Sequence, residues 1–253
     1  MSSSFNITLA PGVLNVTAEE VRRSALFTQW VNRLEEEGMI LSGVYVCDVL
    51  KWGKPEEPKM IYLLAEACDA DGRKLHRTAV HLRGDTVDVL AILRCEGKEY
   101  VVFVAQPRVP GAKNHNVSNP SGMVDAGEEV TFAGLRELDE ELGYKIEWEK
   151  PFHLVDRPLL VSAGGTGERA HMLCVRANVS RDQISMLHNR FGGVADEGEK
   201  TRVLVVPFAQ AMEMTDGTKT MLSLLLYQTR SSNVSGFIKR MWAKLMRRNN
   251  QAM

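Results

Sequence analysis

The spacing of apolar residues changes part-way along the chain, and that change constrains the fold more than any other feature. Between residues 18 and 37, Val21, Ala25, Leu26, Trp30, Val31 and Leu34 recur at threes and fours, the spacing of one helix face. Thr17 with Glu20 forms a capping-box pattern at its start, and Gly38 is a natural stop. Beyond it the pattern is that of strands: Val44 to Val49, Ile61 to Ala65 and Ala79 to Leu82. The turn-rich stretches Gly53 to Pro58 and Asp69 to Gly72 separate them, which predicts a small antiparallel meander. Two strong strands follow, Val87 to Leu93 and Tyr100 to Gln106, joined by Cys95-Glu96-Gly97-Lys98.

Residues 107–127 are rich in Pro, Gly, Asn and Ser and read as a long functional loop. A helix is expected from Thr131 to Leu142, ended by Gly143. Strands are expected near 152–156, 171–177 and 202–206, with helices near 181–190 and 208–214 and from 217 onward. Mostly antiparallel strands with few helices predict an α/β layered fold. A chain of 253 residues suffices for one sizeable core with a small appendage.

The formal net charge of -1 argues against a bulk electrostatic grip on nucleic acid. Four cysteines, Cys47, Cys68, Cys95 and Cys174, show no CxxC spacing, so reduced core residues in a reducing compartment are expected. No apolar run approaches the length of a membrane span, and no targeting pattern marks either end. An intracellular, cytoplasmic protein is the expectation.

The chemistry concentrates between Gly122 and Tyr144. At about 100° per residue, Glu137, Glu140 and Glu141 share one helix face within roughly 100° of arc, while Leu135, Leu138 and Leu142 form the face expected to bury. Carboxylates that converge repel one another unless a cation sits among them, and hard oxygen donors suit Mg²⁺ or Mn²⁺. An isolated cluster of this kind is more often a solvated face.

The surrounding spacing points elsewhere. Gly122, Glu128, Arg136, Glu137, Leu138, Glu140, Glu141 and Gly143 resemble the Nudix box, Gly-x5-Glu-x7-Arg-Glu-U-x-Glu-Glu-x-Gly-U, with Tyr144 in place of the final aliphatic residue. The resemblance implies the Nudix α/β/α sandwich around a mixed sheet, preceded here by the N-terminal helix and meander. It implies a hydrolase of nucleoside diphosphates linked to another group. It further implies that Glu137, Glu140, Glu141 and the Ser121 carbonyl hold Mg²⁺ or Mn²⁺, while Gly122, Glu128, Arg136 and Gly143 are structural.

Four further stretches narrow the resemblance to ADP-ribose and ADP-sugar pyrophosphatases, the plant-type ADP-sugar diphosphatases above all. Ser162-Ala-Gly-Gly-Thr-Gly-Glu168-Arg169 is similar to a loop of those enzymes, with Ala163 where proline is usual. Asp196-Glu197-Gly198-Glu199 precedes the strand Arg202 to Pro207, and by resemblance Glu199 is the catalytic base, with Glu197 as the fallback. Leu26 to Trp30 and Gln106 to Pro110 also look like segments of those enzymes. By that resemblance Arg108, Glu168 and Trp52 are the candidate substrate contacts. One departure is Asn119, where relatives usually carry a glutamate.

The domain expectation is an N-terminal helix and meander over 1–83, a catalytic domain over 84–230, and a linker with a basic amphipathic helix over 231–253. The helix, Phe237 to Arg248, carries five Lys and Arg and no acidic residue. It keeps contact with RNA or an anionic membrane open. Expected is hydrolysis of a small nucleotide sugar to AMP and a sugar phosphate. The alternatives are action on RNA 5′ ends and a catalytically silent nucleotide- or RNA-binding module. A homodimer is expected because the meander, 43–82, is too small to bury its own face well.

Overall fold

The computed structural model describes residues 5–52, 57–193 and 200–231. They divide into two compact units. The first contains the residues up to Thr86 with Met123–Gly127 and Pro158–Ala170. The second contains Val87–Gly122, Glu128–Arg157 and the described residues from His171 onward. The fold is mixed α/β, as the sequence predicts.

In the first unit, α1 (Ala18–Arg23) and α2 (Ala25–Glu36) replace the single helix expected over 18–37. Ser24 is the cause. Its backbone is extended, with φ −63° and ψ 141°, and it closes α1 while capping α2. Its hydroxyl donates to the Val21 carbonyl at 2.7 Å and accepts from the Phe27 amide at 3.4 Å. A serine that bonds the neighbouring backbone offers the chain this alternative to a continuous helix. The capping box at Thr17 and Glu20 is present.

The meander consists of β2 (Ile40–Trp52), β3 (Glu57–Cys68) and β4 (Thr78–Leu82), paired antiparallel in that order. A strand the sequence did not suggest, β1 (Asn6–Leu9), runs parallel to β2 at its edge. Phe5, Val21 and Phe27 join Val44, Val46, Val49, Ile61, Leu63, Ala65 and Leu82 in one buried cluster. The helices thus cover one face of the meander, while Ile40, Leu50 and Tyr62 are exposed.

The second unit is built on β5 (Thr86–Cys95) and β6 (Lys98–Arg108), in the strand order β11-β5-β6-β13-β12. Here β11 is Arg169–Asn178, β12 Phe191–Gly192 and β13 Thr201–Pro207. The supposed loop 107–127 is instead a 3-10 turn at Val109–Gly111 and two strands, β7 (Lys113–Ser118) on β6 and β8 (Ser121–Met123) on β5. Its polar residues hid them, because β7 is exposed over its first half and has no apolar alternation to read. The short β9 (Phe152–His153) pairs with β11. In the first unit, β10 (Leu159–Leu160) pairs with Arg169 and Ala170.

Three helices complete the second unit: α3 (Val130–Leu142), α4 (Arg181–Leu187) and α5 (Thr218–Ser231). The helix expected at 208–214 is 3-10 over Phe208–Glu213. Alternation along β5 fixes the layers, since successive side chains face opposite ways. A Cβ on Gly134 of α3 would lie 3.2–3.4 Å from Val89 and Val87. Asp88, between them, instead reaches Asn119, whose amide bonds Ser223 of α5. The helices α3 and α5 therefore flank the sheet on opposite faces, giving the α/β/α sandwich. Almost every residue of β5 is buried, as a strand covered on both faces requires.

Among the described residues, no helix is long and apolar enough to cross a membrane. All four cysteines are free. Cys95 and Cys174 are buried, Cys68 is half-buried and Cys47 is exposed, so the core expectation holds for only part of the set. Burial pushes the Cys174 thiol up to about 12. The basic segment Phe237 to Arg248 lies outside the described residues.

The register of α3 depends on Leu138, which is fully buried. Leu138→Ala removes a core side chain without touching a polar group, so we expect a loss of about 2–5 kcal/mol. Urea unfolding measures it, and a loss below about 1 kcal/mol would contradict this packing.

Candidate active site

Helix α3 starts at Glu129, whose carboxylate accepts from the Thr131 and Phe132 amides at 3.0 Å. It stops at Gly143, which takes the left-handed φ of 56° that a side chain disfavours. The buried face is Ala133, Gly134, Glu137, Leu138, Glu141 and Leu142. Leu135, expected inside, is half-buried. Two of the three candidate carboxylates thus lie on the packed face, with Glu137 9% and Glu141 2% exposed. Glu140 is half-buried.

Burying a carboxylate is costly unless hydrogen bonds or cations meet it. Glu141 Oε2 accepts from the Ser121 amide at 3.1 Å, and Oε1 accepts from Gln106 Nε2 at 3.4 Å. The Glu141 carbonyl accepts from the buried Thr201 hydroxyl at 2.7 Å. Arg136 serves the others. Its Nε and Nη2 fork onto the two oxygens of Glu128 at 3.0 and 3.1 Å. Its Nη1 donates to Glu137 at 2.8 Å and to Glu140 at 3.3 Å. These carboxylates hold the guanidinium above its ordinary pKa, the Glu128 hydrogen bond contributing most.

Gly122 lies directly against Glu137: a Cβ there would sit 1.9 Å from its carboxylate. Any larger residue would displace that carboxylate. The donor set gathered around Ser121 and Gly122 is oxygen-only and anionic, which suits a hard divalent cation. Among the described residues, no three His, Cys, Asp or Glu side chains converge closely enough to hold a metal as they stand. The Arg136 guanidinium is the cation now placed between Glu137 and Glu140. The chemistry of the residues fits a metal, with that guanidinium as its competitor for the same oxygens.

Other candidates are placed as follows. Arg108 is exposed at the end of β6. In the first unit, Trp52 is half-buried at the end of β2, and Glu168 is 5% exposed. Glu168 accepts from the Thr86 hydroxyl at 2.9 Å and lies 3.5 Å from Arg83 Nη1. Glu197 and Glu199 lie outside the described residues. An open groove of about 620 Å³ lined by Arg94, Lys98, Glu99 and Phe208 sits at the β5–β6 turn. That is the opposite end of β6 from Gln106, so the groove is separate from the carboxylates.

Sequence reasoning missed Gln106 and Thr201 as partners of Glu141, because their contacts come from different strands. It also missed a buried polar group around Asn119. Asn119 is fully buried, and its Nδ2 donates to Asp88 at 2.6 Å and to Ser223 at 2.7 Å. A lone Asp in the apolar run Val87 to Leu93 was the available signal.

Burial raises the Asp88 carboxyl above its usual range, while Lys219 and Asn119 pull the other way. A carboxyl whose folded pKa lies above its unfolded value of about 4 favours folding below that value, and the advantage is lost as pH rises through the folded pKa. Asp88→Asn keeps an acceptor for Asn119 without the charge. Its melting temperature should therefore gain on wild type by about 2 °C or more between pH 5 and pH 8. Thermal unfolding at the two pH values measures this, and a gap that narrows with pH would contradict it.

Comparison with known proteins identifies the family. The NUDIX domain model matches residues 82–222. Nudix hydrolase 14, chloroplastic, of Arabidopsis thaliana is 28% identical over 236 residues, 88% of this chain and 76% of that protein. GDP-mannose pyrophosphatase of Escherichia coli (strain SMS-3-5 / SECEC) is 33% identical over 166 residues, 61% of this chain and 78% of that protein. ADP-ribose pyrophosphatase of Escherichia coli (strain K12) is 34% identical over 99 residues, 39% of this chain and 43% of that protein.

Proposed function

Since the chain belongs to the Nudix family and is a hydrolase, we propose that it cleaves the diphosphate of a nucleoside diphosphate sugar of the ADP-ribose or ADP-glucose type. Water attacks one phosphorus, the bridging P–O bond breaks, and AMP and a sugar phosphate leave. The relatives named for GDP-mannose and ADP-ribose differ in base and sugar but share a diphosphate between nucleoside and sugar. That shared group is the part of the substrate the box residues would address.

The observation that carries the reading is the placement of Glu141. It is almost fully buried, yet its carboxylate is held by the Ser121 amide beside Gly122, against which Glu137 also packs. A buried carboxyl group held by the backbone at the start of the box is poorly explained by packing alone, since an apolar residue would bury at lower cost. Glu137, Glu140, Glu141 and the Ser121 carbonyl would hold Mg²⁺ or Mn²⁺. When bound, such a cation neutralises phosphate charge and acidifies water. Arg136, braced on Glu128, keeps the carboxylates gathered. Glu199 is proposed as the base that takes the water proton.

Glu141→Gln keeps the shape and removes the charge. We expect kcat to fall by about 10³ or more at saturating Mg²⁺ with ADP-ribose and ADP-glucose as substrates. A variant that keeps a third of wild-type activity would remove Glu141 from the metal set. Turnover of a 5′-triphosphate RNA in preference to both sugars would overturn the substrate class.

Glu199→Gln should lower kcat by roughly 10²–10⁴ with metal affinity nearly intact. A silent Glu199→Gln beside an inactive Glu197→Gln would move the base by two residues.

A further inference from the structure

The short segment from Thr215 to Ser223 grips the strand that leads into Ser121 at three successive points. Lys113 pairs with Asp216. The Thr215 hydroxyl donates to the Val117 carbonyl at 2.7 Å and accepts from the Gly217 amide at 3.1 Å. The Thr220 hydroxyl accepts from the Asn119 amide at 3.2 Å. Ser223 accepts from Asn119 Nδ2 at 2.7 Å and donates back to the Thr220 carbonyl at 2.9 Å. Thr215, Thr220 and Ser223 are all buried, at 7%, 1% and 0% exposure.

The grip continues without a slack residue. Pro120 has a fixed φ, and its carbonyl accepts from the Val89 amide at 2.9 Å. The next amide, that of Ser121, is the donor to Glu141 at 3.1 Å. From the buried hydroxyls of α5 to the Glu141 carboxylate, every intervening residue is therefore tied by a hydrogen bond. Buried hydroxyls add little net stability over apolar residues of the same shape, but each fixes a direction. Thr215 on the Val117 carbonyl and Thr220 on the Asn119 amide fix where the backbone points at two alternate residues, and Ser223 fixes the Asn119 side chain.

We infer that Thr215, Thr220 and Ser223 are positioning residues for hydrolysis, holding residues 117–121 so that the Ser121 amide aims the Glu141 carboxylate. The inference rests on the reading of Glu141 given above. Helix α5 acts here through the backbone, without touching substrate. A misplacement of about 1 Å in such a group can cost on the order of 10² in rate.

The test uses the full-length protein with Thr220→Val and Ser223→Ala combined, and Thr220→Ser as the conservative control. Amide hydrogen exchange over 117–123 is followed without added metal, and kcat and KM are measured with ADP-ribose and Mg²⁺. We expect exchange at Ser121 to accelerate about tenfold or more, and kcat to fall by 10- to 100-fold with KM within about threefold. Thr220→Ser should behave as wild type in both. Faster exchange with unchanged kcat would make the hydroxyls structural only and overturn the inference, as would unchanged exchange. Should the double variant fail to fold, Thr215→Val against Thr215→Ser reads the same quantities at Val117. A wild-type protein without hydrolytic activity would overturn the proposed function, and exchange alone would then decide whether the grip exists.

Discussion

The structure depends on the burial of two carboxylates on the packed face of α3. Glu137 and Glu141 occupy positions where a helix of this kind would ordinarily place leucines, one turn apart on either side of Leu138. Neither can stay charged there without help. The help comes from separate parts of the chain: Arg136 from the same helix, the Ser121 amide from β8 and Gln106 from β6, while the Thr201 hydroxyl of β13 holds the Glu141 backbone carbonyl. Backbone also approaches closely at Gly122, against the Glu137 carboxylate, and at Gly192, against the Glu141 main chain. A Cβ at Gly192 would lie 2.1 Å from the Glu141 carbonyl oxygen.

The opposite face of β5 carries a second buried polar group. Asp88, Asn119, Thr220 and Ser223 meet there, and they tie α5 to the strand that enters the box. Both networks converge on the same short segment, residues 119–122. The helices on the two sides of the sheet thus act on one stretch of backbone, from above through carboxylates and from below through hydroxyls.

Much of the fold was legible in the chain. The strands β5, β6, β11 and β13 and the helix α3 follow from apolar runs and caps that are local in sequence. Polar strands were not legible: β7 has no alternation because its pairing with β6 comes from backbone hydrogen bonds. The break at Ser24 was missed because the apolar spacing of 18–37 continues through it, while the serine's own hydrogen bonds end the helix.

The sequence alone determined the carboxylate cluster, its spacing on one helix, and the glycine positions around it, because those depend on the helical repeat and on residues near in the chain. It also determined that Arg136 and Glu128 stand at spacings able to pair. Tertiary structure alone decided which carboxylates are buried, since that depends on how α3 is rotated against β5 and β11. It alone decided that Ser121, Gln106 and Thr201 serve Glu141, and that Asn119 meets Asp88 and Ser223. Those partners are separated by up to 104 positions. No local pattern records a hydrogen bond made across so long a stretch of chain; only the packed sheet brings its two ends together.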